Sequence, residues 1–210
     1  EEQVLCAYLK DSGIVISLGH SDATYEQTQQ LLKKGYVENA THFSNGMRGI
    51  HHREPGLQVA LLQSDCTIEM IADGLHVHPA MIKFLLEAVG EDRMILISDS
   101  MRAADLADGI YDLGGQQVRV EKGLCTLVGK ENLAGSTLNL NRARQNMKKW
   151  LHLSDIALAK LTATNSAKRL GLEERKGGVA PGKDADFFVV DEKDEVLLTV
   201  SEGIIIYQNK

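Results

Sequence analysis

Four short runs of apolar, largely β-branched residues end in the same way, each on a polar side chain suited to chemistry. Residues 14–19 run into His20, residues 37–41 into His42, residues 66–72 into Asp73-Gly74-Leu75-His76, and residues 94–98 into Asp99. Runs without a polar face read as parallel strands covered on both sides. Helical patterns lie between them: residues 23–34 with Ser21-Asp22 as capping residues and Gly35 as stop, residues 57–63, and a helix opening at Pro79 and closing at Gly90. The last carries Met81, Ile82, Leu85, Leu86 and Val89 as an apolar stripe, with His78 at its entry. Spacings of 22, 34 and 23 residues separate His20, His42, His76 and Asp99, close to the roughly 30-residue strand-helix unit of an eightfold barrel. The pattern predicts an α/β fold of four such units, the C-terminal half of a (β/α)8 barrel, with its polar ends on the rim where barrels place active sites.

Beyond Asp99 the pattern changes. Residues 110–128 alternate in short runs split by Gly114-Gly115 and Gly123, which predicts a β-hairpin insertion. A polar loop over 129–137 precedes two helices, 138–151 and 154–170, the second capped by Ser154 and stopped by Gly171. From Asp186 the strands 187–190, 196–200 and 203–207 predict part of a small β-sandwich domain. The expected division is therefore 1–170 for the half-barrel and 171–210 for the C-terminal part of the small domain.

A net charge of −6 argues against a nucleic-acid partner. No apolar run nears the roughly 18 residues that span a bilayer, and EEQVLCAYLK lacks the basic start of a leader, so a cytoplasmic protein with no membrane partner is expected. Cys6, Cys66 and Cys125 are too scattered for a disulfide framework or a zinc cluster and read as reduced. Glu1-Glu2 has no initiator methionine and runs straight into an apolar pattern like a helix in mid-course, which reads as a fragment. Half a barrel has two unpaired strand edges, so this chain is expected to be inactive alone and to associate.

Two strand-end histidines with a strand-end aspartate suit a divalent metal and a proton carrier. The same residues also serve as caps and as hydrogen-bonded core groups, and spacing alone leaves both readings open. Residues 39–56 add amides and Arg53 behind the second strand; Arg53 is either an anion contact or a surface cation, and Asp99 either a base or a strand-end cap.

Several segments carry a resemblance. Gly19-His20-Ser21-Asp22-Ala23-Thr24, Thr41-His42-Phe43-Ser44-Asn45-Gly46-Met47, Arg53-Glu54-Pro55-Gly56, Ala72-Asp73-Gly74-Leu75-His76, Ser98-Asp99, Leu133-Ala134-Gly135-Ser136 and residues 178–186 stand in the order found in the N-acetylglucosamine-6-phosphate deacetylases of the amidohydrolase superfamily, which the chain closely resembles. The resemblance implies that His20 and His42 ligate a divalent metal, zinc or iron, and that Asp99 is the base that later protonates the leaving amine. It implies that Asn45, Gly46, Arg53 and His76 hold an amino-sugar phosphate, that Leu133, Ala134 and Gly135 form a backbone clamp, and that the protein is a homodimer with Arg53 reaching across. Gly46 and Ser100 depart from the usual alanines, and Ser166 from a common proline. The family's first half, with a carboxylate ligand and another histidine, has no counterpart here. Other amidohydrolase substrates, a cyclic amide or an N-acyl amino acid, and a non-catalytic sugar-phosphate binding domain remain as alternatives.

Overall fold

The computed structural model of the chain describes residues 2–209, with side chains from Val4 onward; the expectation attached to Glu1 lies outside the described residues. After helix α1 (Glu2–Asp11), strands β1 (Ser17–Leu18), β2 (Asn39–Ala40), β3 (Thr67–Ile71) and β4 (Met94–Ile97) form one parallel sheet in the order β1-β2-β3-β4. Helices α2 (Tyr25–Lys33), α3 (Gly56–Leu62) and α4 (Pro79–Val89) connect them, as the alternating pattern predicts. The strands are shorter than the apolar runs: β1 and β2 pair only Ser17 with Asn39 and Leu18 with Ala40. β-Branched residues favour extension, but a ladder needs paired neighbours, and before Ser17 the contact shrinks to one bond, Glu38 N donating to Ile16 O at 3.1 Å. The sheet is open, so what the structure holds of the expected barrel is four strands.

Side chains divide the sheet into two faces. Ile68 pairs with Met94 and Met70 with Leu96, and all four are buried with Leu57, Leu61, Ile82, Leu85, Leu158 and Leu161 beneath the helices. The opposite face is polar at its start. Asn39 Nδ2 donates to Ser17 Oγ and Glu69 Oε1, each at 2.7 Å, while its Oδ1 accepts the Thr67 hydroxyl at 2.6 Å. One buried amide thus joins three strands, two of which have only two paired residues each.

Helix α2 begins later than the Ser21-Asp22 reading. Thr24 Oγ1 accepts from Gln27 N at 3.3 Å and Gln27 Oε1 accepts from Thr24 N at 2.8 Å, a reciprocal cap that Ser21 cannot form. His78 caps α4 through Nδ1, which accepts from Ala80 N at 3.2 Å, as its helix-entry reading expects.

Strands β5 (Gly109–Leu113), β6 (Gln116–Glu121) and β7 (Leu124–Leu127) form an antiparallel meander over its own small core of Met101, Ala103, Val118, Val120 and Cys125. Helix α5 (Leu140–Leu151) starts two residues later than expected because Asn139 provides the cap, its Oδ1 accepting from Arg142 N at 2.8 Å. The following helix is capped by Ser154 but is not uniform: α6 (Asp155–Ala159) passes through a π-helical segment (Lys160–Thr164) into α7 (Asn165–Arg169). Strands β8 (Phe187–Val190), β9 (Val196–Ser201) and β10 (Ile204–Gln208) form a second antiparallel sheet that exposes Ile204, Ile205 and Ile206. Its β8–β9 turn is tied to α5, where Asp194 receives Arg144 Nη2 and Lys148 Nζ, each at 3.0 Å. The described cysteines are all free, and no described helix is long and apolar enough to cross a membrane.

Asn165 sits where the π-helical segment ends, and its Nδ2 donates to the carbonyls of Glu91 and Met94, each at 2.7 Å. Asn165→Ala leaves those acceptors unpaired in a buried place, so the complete protein should lose about 1–3 kcal/mol, read as a lower urea midpoint at unchanged slope. An unchanged midpoint would show that the segment is held by its apolar packing alone.

Candidate active site

Strands β1, β2 and β4 deliver their polar residues through the same local geometry. His20, His42 and Asp99 stand two residues beyond the ends of β1, β2 and β4, and all three have left-handed backbones, with φ of 44°, 29° and 49°. Non-glycine residues there cost on the order of 1–2 kcal/mol each and persist only where their surroundings hold them. Backbone bonds hold His42 from both sides: Thr41 N donates to Leu18 O at 3.1 Å and Phe43 N to Glu69 O at 2.8 Å. A left-handed residue breaks the pleat and turns its side chain onto the rim.

The structure brings His20 and His42 together, with ring centroids 4.6 Å apart and planes at 87°. His42 Nδ1 is buried without a hydrogen-bond partner, the one such side-chain atom among the described residues. A buried ring nitrogen left unpaired costs about 1–3 kcal/mol, and a metal at that nitrogen would relieve it. The pair therefore fits a share of a metal site. It is only a share, because no group of three or more His, Cys, Asp or Glu among the described residues could hold an ion.

Gly46 lies directly against this pair: a Cβ there would stand 2.6 Å from His20 Nδ1, on a backbone with φ of 61°. The usual alanine can occupy this position only if the His20 ring moves. Asn45 turns its amide back on its own loop, Nδ2 donating to His42 O at 3.1 Å and Phe43 O at 3.3 Å, which leaves Oδ1 as its uncommitted polar atom. Arg48 ties this loop to the one after β1: its guanidinium grips Asp22 with two bonds of 2.9 and 2.8 Å and holds that carboxyl below the usual carboxylate range.

Asp99 is joined to the loop that follows the meander. Ser136 N donates to Asp99 O at 3.0 Å and Met101 N to Ser136 O at 2.9 Å, so Ser136 lies alongside the end of β4. Leu133 and Ala134 lie instead against β7, Leu133 bridging Thr126 and the Ala134 N–H donating to Cys125 O at 3.1 Å, and Gly135 packs against Met101. Arg53 stands apart: it is exposed, and its Nη1 meets His52 Nε2 at 2.8 Å.

His76 is paired with a residue to which the motif reading gave no role. Its Nδ1 lies 2.6 Å from Asp73 Oδ2, and the two side chains are 7% and 9% exposed. Burial pushes the Asp73 carboxyl up, but the His76 ring and the N–H groups of His76 and Leu75 outweigh it, leaving the group below its ordinary range. The readable signal was an acid three residues before a histidine across a glycine turn. Arg48 with Asp22 was also missed, since residues 26 apart give no local sign of pairing.

Two imidazoles meet at left-handed positions just beyond the ends of neighbouring parallel strands, and Asp99 has the same backbone geometry beyond β4. The chain belongs to the amidohydrolase family, whose family model matches residues 5–206. The N-acetylglucosamine-6-phosphate deacetylase of Bacillus subtilis is 42% identical over 207 residues, covering 98% of this chain and 52% of that protein. The enzyme of the same name from Vibrio furnissii is 40% identical, at 95% and 50% coverage. The N-acetylglucosamine-6-phosphate deacetylase structure from Thermotoga maritima superposes with a TM-score of 0.94 at 37% identity, covering 100% of this chain and 57% of that one. A Mycobacterium smegmatis variant in complex with N-acetyl-D-glucosamine-6-phosphate superposes at 0.91 with 35% identity, at 96% and 54% coverage. The chain thus spans about half the length of the curated relatives it matches, 52% and 50% of the two named.

Ser136 is buried and holds the loop beside Asp99, its hydroxyl donating to Ser98 O and accepting from Leu138 N. Ser136→Ala in the complete protein should cost about 1–3 kcal/mol in denaturant unfolding, because both backbone groups lose a buried partner. No measurable loss would mean that water replaces the hydroxyl and that the loop is placed by other bonds.

Proposed function

We propose that the complete protein hydrolyses the acetamide of N-acetylglucosamine 6-phosphate to glucosamine 6-phosphate and acetate, and that this chain forms the second half of its (β/α)8 barrel. Residues 1–170 would be the half-barrel and 171–210 the C-terminal part of a small β-domain. The observation that carries the reading is the close pair of His20 and His42, with an unpartnered buried nitrogen on His42, and the left-handed backbone that both share with Asp99. The relatives that share nearly the whole chain support the substrate.

His20 and His42 would hold a zinc or iron ion, with His42 Nδ1 the nitrogen that lacks any other partner. Such an ion supplies Lewis acidity towards water and the amide oxygen. Asp99 takes the proton as the water oxygen bonds to the amide carbon, and returns it to the nitrogen as the carbon–nitrogen bond breaks. Its exposure on the rim leaves the carboxylate open to both partners. Asn45 Oδ1 and the backbone of Gly46, Leu133 and Gly135 would line the sugar beside that carboxylate. His76 and Arg53 would take the phosphate, for which a guanidinium offers a planar fork. As the resemblance implies, Arg53, exposed beside His52 in the single chain, would serve the site of a second copy in a homodimer. Three free cysteines fit a reducing, cytoplasmic setting.

The deciding experiment is turnover by the complete protein with added Zn2+ or Fe2+, comparing N-acetylglucosamine 6-phosphate with its 4-epimer and with the unphosphorylated sugar. Preference for the phosphorylated sugar is expected, and equal cleavage of the unphosphorylated one would reject phosphate recognition. Asp99→Asn should leave KM near its starting value and lower kcat about 10²-fold or more; a near-normal kcat removes Asp99 from the proton path. Arg53→Ala should raise KM about tenfold or more, the scale of a charge-assisted contact, and an unchanged KM would leave Arg53 a surface cation.

A further inference from the structure

We propose that Asp73 is the positioning residue for His76: its carboxylate keeps the proton on His76 Nδ1 and sets the ring's direction, so that Nε2 is the atom that meets the ligand. The ligand's identity rests on the sugar-phosphate reading above, whereas the pair itself is a feature of the chain alone.

The two oxygens of Asp73 do separate work. Oδ1 accepts the backbone N–H groups of Leu75 at 2.8 Å and His76 at 2.9 Å, which is all that the turn needs. Oδ2 is left for His76 Nδ1 at 2.6 Å, a charge-assisted distance. An ionised carboxylate can only accept, so the shared proton belongs to the ring nitrogen. Nε2 has no hydrogen-bond partner among the described residues and is not sealed from solvent, although the ring as a whole is nearly buried.

Helix α5 holds the turn from behind. Asn146 Nδ2 donates to Ala72 O at 2.8 Å, and the Trp150 ring covers Gly74 so closely that a Cβ there would stand 3.1 Å from it, on a backbone with φ of 78°. A carboxylate fixed by two N–H groups, on a turn fixed by a helix, leaves His76 little freedom to swing. A histidine oriented in this way is prepared before the ligand arrives, which limits what binding loses in ordering.

Asp73→Asn separates the two roles of the carboxylate. Asn keeps Oδ1 for the turn but presents an NH2 group to Nδ1, which then has to accept, so the proton should move to Nε2. In the complete protein, 15N spectra of the His76 ring should show the Nδ1–H form in the parent and the Nε2–H form in Asp73→Asn. KM for N-acetylglucosamine 6-phosphate should rise about tenfold or more while kcat stays within about threefold, the pattern of lost ligand binding. On a His76→Ala background the same substitution should change KM no further. An unchanged tautomer, additive effects, or a lower melting temperature with KM intact would each overturn the proposal and leave Asp73 a turn residue. If Asp73→Asn does not fold, Asp73→Ser, which retains an acceptor for the turn and removes the ring's partner, is read by the same KM and cycle criteria. A parent that does not turn over the sugar phosphate would count against the function, and the tautomer measurement would then decide the positioning role by itself.

Discussion

One buried amide sets the geometry on which the rim depends. Strands β1 and β2 share only two residue pairs, flanked by the bonds Glu38 N to Ile16 O and Thr41 N to Leu18 O. Asn39 adds side-chain bonds to Ser17, Thr67 and Glu69 that tie three strands together in this alignment. A slip by one residue would turn His20 or His42 to the wrong face. The polar start of this face and the chemistry at its far end are therefore linked along the strands.

The cost of the rim is visible in its backbone. Three left-handed residues and one unpaired imidazole nitrogen would be faults in an ordinary sheet. Here they fall on the residues that the motifs single out, in a sheet held by its packing under the helices. Local rules are broken where a side chain has to leave the pleat, which is the expected place for a site.

Much of this was legible in the residues. The four strand-and-polar-end units, the meander, the His78 cap and the last three strands follow from period, turn residues and capping chemistry. Strand length did not, because β-branched composition reports a preference and pairing depends on neighbours far along the chain. The start of α2 was misplaced because three capping residues stand in succession, Ser21, Asp22 and Thr24, and only Thr24 has a glutamine three residues on to return the bond. Asp73 was in view within a quoted motif, yet its partner could be recognised only once the turn was folded. Arg53 reads as an anion contact in the motif and as an exposed loop residue beside His52 in the single chain.

Helix α5 ends up as a strut between two distant parts of the molecule. Through Arg144 and Lys148 it grips the β8–β9 turn, and through Asn146 and Trp150 it backs the turn that carries His76. For anyone building chimaeras, the terminal sheet is consequently not an exchangeable appendage. A graft that replaces it takes away Asp194 and leaves Asp155 as the acid facing Arg144 and Lys148, so the helix that backs the His76 turn loses one of its two carboxylate anchors.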